Sequence, residues 1–243
     1  MGLIEETPGA NWRDLQRRVE TILNECGLKA EAAKTIRTAR GTVAIDVYAE
    51  DPATTPPAVY LCECKRWTSR VPQGEVQTFR TVVGDAGAHF GLFISAQGFQ
   101  AGAFEIVAHT NIHLFNWEGF QKAFVERWCK TYWAPTMREW LSPLASYAEL
   151  PMSDAWHRFD SGDEVNEAEA VGLFAEKMWG YPFFEWMRRP DERERSLEPA
   201  IWARHEMFRR FLPYAVANAE TVRDLLDAFV GFAKSWTWPE RRR

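Results

Sequence analysis

The 243-residue sequence has no apolar run long enough to cross a membrane as a helix. Its longest such stretch, FGLFISA at 90–96, has seven residues, whereas a spanning helix needs about 20. The first residues, MGLIEETPGANW, are acidic where a signal peptide carries a basic region, and no apolar segment follows them. We therefore expect a globular, cytoplasmic protein that makes no membrane contact.

Cysteine and positive charge are also scarce. The four cysteines, at positions 26, 62, 64 and 129, form no CxxC pair, so neither a disulfide framework nor a zinc module of paired thiols is expected. The net charge of −5 excludes a dedicated basic nucleic-acid-binding protein. Any contact with nucleic acid must therefore depend on a local group of residues.

The two halves of the chain differ in composition. Residues 1–130 carry 14 Lys and Arg against 15 Asp and Glu, whereas residues 131–243 carry 15 against 19 and hold eight of the twelve tryptophans. This shift predicts a domain boundary near 130–150. We expect one domain over 1–130 and a second over 131–243.

Strand and helix patterns alternate in the first half. Residues 12–26 show the 3.6-residue period of an amphipathic helix, and 43–50 show the two-residue period of a strand. Further elements are predicted as a strand at about 59–67, a helix at 73–84, a strand at 91–96, a helix at 99–109 and a strand at 112–117. This order predicts an α/β sandwich with right-handed crossovers.

The second half carries no strand pattern of comparable quality. Helical patterns cover the segments 117–132, 164–179, 198–212 and 220–235. In the last of these segments one stripe is apolar, formed by Val222, Leu225, Leu226, Phe229 and Phe232. We expect an all-helical accessory domain.

One group of charged residues stands out on the predicted strands. Asp46 lies in the strand 43–50, and Glu63 and Lys65 share one face of the next strand. Two carboxylates can bind Mg²⁺ and an ammonium group beside them can stabilise charge on a phosphorane, which phosphodiester hydrolysis requires. The side chain of Cys64 points away, but its main-chain carbonyl can face the same metal. Glu-x-Lys by itself is common in ordinary strands with solvated charges.

The setting of these residues resembles the Mrr-like branch of the PD-(D/E)XK restriction endonuclease superfamily. The resemblance covers roughly residues 11–120, from the helix WRDLQRRVETILNECG through VAIDVYAE, CECKRW and VQTFRTVVGDAG to GLFISAQGFQAGAFEIVAHTNIHLFNW. It implies a restriction-endonuclease-like α/β/α sandwich with a mixed sheet. It also implies that Asp46, Glu63 and Lys65 are catalytic, that Mg²⁺ or Mn²⁺ is the cofactor, and that DNA is the substrate.

The sequence departs from this family at the first helix. Gln16 stands where the family often has a glutamate that supports the metal site. A glutamine can still hydrogen-bond a metal-bound water but brings no charge, and Glu20, one turn later, could replace the missing carboxylate.

Several other residues lie near the predicted active face. Arg40, Arg66, Arg70 and Ser95 are either phosphate contacts or ordinary structural residues. Trp67 either stacks on a base or packs in the fold.

The resemblance predicts a metal-dependent DNA endonuclease in prokaryotic restriction or anti-phage defence. Two alternatives remain open: a catalytically inactive interaction module that keeps the nuclease fold, and a nuclease acting on RNA or branched DNA. The helical second half shows no catalytic motif, so we expect it to serve target recognition, homo-oligomerisation or docking of a protein partner.

Overall fold

The fold is known from a computed structural model. It describes residues 4–147 and 212–235, together with single positions at 157, 158, 161 and 173. The chain divides into two compact units. One comprises residues 7–132, and the other comprises the described residues among 4–6 and from 133 onwards.

The first unit alternates strands and helices after an initial helix. Its elements, in chain order, are α1 (Trp12–Glu25), β1 (Lys29–Thr38), β2 (Gly41–Asp51), β3 (Ala58–Lys65), α2 (Gln73–Asp85), β4 (Phe90–Ser95), α3 (Ala101–Val107), β5 (Ile112–Asn116) and α4 (Trp117–Trp128). A π-helical turn, Cys129–Trp133, follows α4.

The five strands form one mixed sheet in the order β1-β2-β3-β4-β5. The β1–β2 and β2–β3 pairs are antiparallel, whereas β3–β4 and β4–β5 are parallel. Helices α2 and α3 supply the crossovers that parallel neighbours need. Helix α1 packs against α4 and α2 against α3, and these helices flank the sheet. The predicted α/β domain with a mixed sheet is confirmed.

Apolar residues at the expected periods hold the helices on the sheet. Helix α1 buries one stripe that includes Leu15, Val19 and Ile22, as the 3.6-residue period predicted. A glycine permits the close packing of α2 over β4. A Cβ atom on Gly91 would lie 2.6 Å from Ile112 Cδ1 and 2.8 Å from Val83 Cγ2, so only glycine fits there without displacement of its neighbours.

Strand β1 is the element that the sequence patterns did not predict. Its sequence, KAEAAKTIRT, has Ile36 as its only large apolar residue. Burial alternates along the strand, but the residue types do not alternate between apolar and polar in the same way. The remaining elements of this unit begin and end within a few residues of their predicted bounds, with α3 shorter than predicted.

The described part of the second unit is helical. It contains α5 (Ala134–Tyr147), α6 (Tyr214–Ala217) and α7 (Val222–Ser235). The predicted apolar stripe on the last helix is buried at Val222, Leu225, Leu226 and Phe229. The helices predicted at 164–179 and 198–212 lie outside the described residues except for single positions, so the all-helical accessory domain and its bounds stay a prediction. No helix among the described residues is long and apolar enough to span a membrane.

A partly buried ion pair closes the first unit at the end of β2. Asp51 is only 3% exposed, and the Arg127 guanidinium of α4 donates to both of its carboxylate oxygens, with Nη2 2.8 Å from Oδ1. Arg127 Nε also donates to the main-chain oxygen of Cys26 at 2.6 Å. One guanidinium thus joins the ends of β2, α1 and α4.

We expect Asp51→Asn to lower the free energy of unfolding at pH 7 by about 2 kcal/mol, since hydrogen bonds to charged groups contribute about 1.5–3 kcal/mol. The hydrogen bond from Arg127 holds the pKa of Asp51 below its ordinary value. The stabilisation is therefore present above the unfolded pKa of about 4 and lost as the pH falls through the lower folded value. Urea unfolding from pH 7 to pH 3 measures this, and a pH-independent gap between variant and wild type would contradict it.

Candidate active site

The sheet opens between β2 and β3 at the predicted catalytic residues. The β2–β3 pairing ends with Val47 opposite Cys62. One step further, the same register would place Asp46 opposite Glu63. Strand β3 nevertheless continues its pairing with β4 as far as Lys65 opposite Ser95. The two carboxylates therefore lie at the start of a gap between neighbouring strands.

Two hydrogen bonds hold the Asp46 carboxylate in this gap. The side-chain amide of Gln16, on α1, donates from Nε2 to Asp46 Oδ1 at 2.7 Å. The main-chain N–H of Cys64 donates to Asp46 Oδ2, also at 2.7 Å. Each oxygen of the carboxylate has further lone-pair capacity for a cation.

The main chain of Cys64 faces the same gap. Successive residues of a strand direct their N–H and C=O groups to opposite neighbours. The C=O of Lys65 accepts from Ala96 N at 3.0 Å, on the β4 side, so the main-chain groups of Cys64 point towards β2. The N–H reaches Asp46, and the carbonyl points to the region that the predicted metal set requires.

Glu63 and Lys65 lie together on one face of β3, as the two-residue period predicted. Lys65 Nζ is 2.6 Å from Glu63 Oε1, and the two side chains are 20% and 24% exposed, respectively. Two further side chains approach the same ammonium group. Glu75 Oε2, from the first turn of α2, is 3.6 Å away, and the centroid of the Trp67 ring is 5.3 Å away.

The charges of these groups are strongly coupled. Burial raises the pKa of Glu63, the negative charge of Asp46 raises it further, and Lys65 opposes both effects. Burial lowers the pKa of Lys65, but the hydrogen bond and charge of Glu63, with Glu75 and Asp46, outweigh burial and leave that pKa above its ordinary value. Lys65 is therefore charged at neutral pH. It lies beside carboxylates that repel each other, and a bound cation would relieve that repulsion.

The predicted phosphate contacts are placed less favourably. Arg40, in the β1–β2 turn, pairs with Asp85 at 2.8 Å, and Arg66 Nε donates to the main-chain oxygen of Gly9 at 3.2 Å. Ser95 is fully buried, and its hydroxyl donates to the Gly98 oxygen at 3.0 Å. Burial argues against direct contact between Ser95 and a phosphate, and the roles of the two arginines stay predictions.

Two acidic residues acquire roles that sequence patterns did not assign. Glu75 contacts Lys65. The β3-α2-β4 order could have indicated this contact, since the helix that follows β3 begins near the end of that strand. Glu20, considered from the sequence as a substitute for the missing helix glutamate, accepts a hydrogen bond from the main-chain N–H of Ala32 at 2.9 Å. That bond depends on β1, which the patterns missed.

Comparison with known families agrees with this geometry. Residues 9–124 match the family model of the Mrr catalytic domain, described as a restriction endonuclease. This segment is an Mrr-type restriction endonuclease domain. The family resemblance inferred from the sequence is thereby confirmed, and it implies a nuclease; the match ends before the second unit.

Other comparisons add little to the Mrr assignment. No curated protein matches the chain. One solved structure, the crystal structure of a protein of unknown function, matches with a TM-score of 0.42 and 15% identity over 77% of this chain and 98% of that chain. Similarity at that level bears on neither fold nor function.

The donor set at the Mrr site suits a hard divalent cation. Carboxylate and main-chain carbonyl oxygens are the ligands that Mg²⁺ and Mn²⁺ prefer, and Asp46, Glu63 and Cys64 would supply them. Within the described part of the chain, no group of three or more His, Cys, Asp or Glu side chains is arranged to hold a metal ion. The predicted set has only two such side chains, because its third ligand is a main-chain oxygen.

Gln16→Leu should lower the free energy of unfolding by about 1.5–3 kcal/mol, because the buried amide donates to a charged oxygen that leucine leaves unbonded. Gln77→Leu is the matched control, since Gln77 is exposed on α2, and should change stability by less than about 0.5 kcal/mol. Urea unfolding of the two variants gives both values. Equal losses would show that the Gln16–Asp46 bond contributes nothing to the fold.

Proposed function

We propose that the chain is a Mg²⁺- or Mn²⁺-dependent DNA endonuclease that hydrolyses phosphodiester bonds in prokaryotic restriction or anti-phage defence. The observation that carries the proposal is the intact set of Asp46, Glu63 and Lys65, gathered where the β2–β3 pairing opens in an Mrr-type domain.

In this proposal Asp46, Glu63 and the Cys64 carbonyl hold the metal, which when bound activates water and neutralises charge on the phosphorane. Gln16 and the Cys64 N–H orient Asp46 before substrate arrives. Lys65 holds a proton throughout and presents its ammonium group to the attacking water or to a non-bridging phosphate oxygen. Such preorganised charge lowers the barrier because it needs no rearrangement during the reaction.

An inactive module with a nuclease fold is the main alternative. Its best support in the sequence was Gln16 in place of a glutamate. In the structure Gln16 is buried and bonded to Asp46 at 2.7 Å, which suits a residue that supports a working carboxylate. A scaffold has no need of Asp46, Glu63 and Lys65 together. The active enzyme is therefore the better-supported proposal.

The substrate and the second unit are assigned by the same reasoning. DNA follows from the family, while RNA and branched DNA stand as alternatives. With a net charge of −5, the protein must bind DNA through local contacts, since global electrostatics disfavour it. We assign target recognition, homo-oligomerisation or protein docking to the second half, which the sequence predicts to be helical.

A direct cleavage assay decides between these alternatives. Purified protein is incubated with plasmid DNA, methylated DNA, branched DNA and RNA, each with and without Mg²⁺ or Mn²⁺. Metal-dependent cleavage of plasmid or methylated DNA supports the proposal. Cleavage of RNA or branched DNA alone would reassign the substrate, and no cleavage of any substrate would favour the scaffold.

Lys65→Ala should abolish plasmid cleavage, by a factor of about 10²–10³ or more, while leaving the fold and most DNA binding intact, because ground-state binding is spread over many phosphates. Asp46→Ala should do the same through loss of the metal, and Gln16→Ala should reduce the rate less than either. Lys122→Ala is the control, since Lys122 pairs with Glu118 on the surface of α4. Cleavage rates measure catalysis, and gel shifts in Ca²⁺ measure DNA binding. Cleavage by the Lys65→Ala variant at the wild-type rate would contradict the assignment.

Glu63→Gln and Glu75→Gln form a second matched pair, since both residues contact Lys65, at 2.6 and 3.6 Å. Only Glu63 belongs to the proposed metal set, so Glu63→Gln should lose cleavage as Asp46→Ala does. Glu75 is 43% exposed, and an exposed pair contributes less than about 1 kcal/mol, which is under about fivefold in rate. Equal losses in the two variants would place Glu75 in the catalytic machinery and overturn this distinction.

A further inference from the structure

The pairing of β1 with β2 is interrupted at the proposed metal ligand. The register pairs Ala32 with Val47 and Lys34 with Ile45, but it omits the pair between them, Ala33 and Asp46. Pairing resumes in the same register on both sides, so no residue is inserted. We call this interruption the ladder break.

The backbone of both strands departs from regular geometry at the ladder break. Ala33 has φ of +55°, in the left-handed region that residues other than glycine rarely adopt. On β2, Ile45 and Tyr48 both pack against the core between the sheet and α2, which includes Phe79 and Phe93. Strict alternation would direct them to opposite faces of the sheet. The change of facing along β2 therefore occurs between these two residues, in the segment that includes Asp46.

A side chain of α1 bonds the backbone next to the ladder break. Glu20 Oε1 accepts from the main-chain N–H of Ala32 at 2.9 Å. Glu20 lies one turn after Gln16, on the same side of α1, and Gln16 holds the Asp46 carboxylate. Helix α1 therefore contacts both strands at the ladder break. It bonds a side chain of β2 and the main chain of β1.

We propose that Glu20 is a positioning residue for Asp46. By bonding Ala32, it keeps β1 in the irregular conformation that leaves Asp46 unpaired with that strand and free to reach the gap between β2 and β3. Glu20 then acts on metal binding without touching the metal. This inference rests on the proposed function in one respect, namely that Asp46 is a metal ligand.

The first test removes the hydrogen-bond acceptor. Glu20→Leu should weaken Ca²⁺ binding, measured by isothermal titration calorimetry, by about 10-fold or more, as is typical when a residue supporting a metal ligand is lost. Glu20→Gln keeps an acceptor oxygen and should stay within about threefold of wild type on the same scale. Glu31→Leu and Glu31→Gln are the controls, since Glu31 also lies on β1 but is exposed and forms a surface ion pair with Lys34.

The second test reaches the ladder break from the strand, without altering Glu20. Ala33→Val places a β-branched residue at φ +55°, which it strongly disfavours, so the strand should shift towards regular pairing and Ca²⁺ binding should weaken as in Glu20→Leu. Ala33→Gly accepts that φ and should bind Ca²⁺ as wild type does. Ala33 is exposed, so steric exclusion from the core does not confound the comparison.

The outcomes separate this inference from the proposed function. Wild-type protein that neither binds Ca²⁺ nor cleaves any nucleic acid with Mg²⁺ overturns the proposed function, and the inference with it. Wild type that binds and cleaves, together with unchanged Ca²⁺ affinity in both Glu20→Leu and Ala33→Val, overturns the inference alone. Weakened binding in Glu20→Leu and Ala33→Val, with rescue in Glu20→Gln and Ala33→Gly, supports it.

Discussion

The site depends on the placement of one carboxylate. Asp46 lies between two strands that have stopped pairing, and the N–H of Cys64 and the amide of Gln16 bond its two oxygens at 2.7 Å each. The first bond takes the place of a main-chain hydrogen bond between β2 and β3, and the second joins α1 to the sheet. Because the Cys64 N–H can reach Asp46 only where the β2–β3 pairing has stopped, the position of this carboxylate depends on the opening of the sheet.

Lys65 balances only part of the negative charge that gathers around this opening. Asp46, Glu63 and Glu75 all act on its pKa, and Asp46 also acts on that of Glu63. One ammonium facing three carboxylates leaves an excess of negative charge in a partly buried place. A protein retains such an arrangement at a cost in stability, and perturbed carboxylates in an opening are typical of functional sites. Binding of a divalent cation would relieve that cost, so the fold should be more stable with the metal bound than without it.

The sequence was sufficient for the parts of the site that depend on local periodicity. Alternation along β3 placed Glu63 and Lys65 on one face. The run of motifs identified the Mrr-type domain, which the match of residues 9–124 to the family model confirms. Periodicity could not reveal β1, because a charged residue takes one of its less exposed positions. There, the Lys34 ammonium lies 4.4 Å from the centre of the Tyr48 ring. Without β1, neither the ladder break nor the bond from Glu20 to Ala32 could be predicted, since both arise from pairing between distant residues.

Gln16 illustrates how one substitution changes the balance between charge and order. A glutamate in its place would put a second carboxylate against Asp46 Oδ1, and without a proton or cation between them the two would repel. Glutamine removes that repulsion and donates a hydrogen bond instead. The site thus carries one negative charge fewer than the family pattern implies, while Asp46 is already oriented before any metal binds. Since metal affinity depends on both ligand charge and rigidity, we expect the lost charge to raise the metal concentration that half-saturates the site, and the added order to limit that increase.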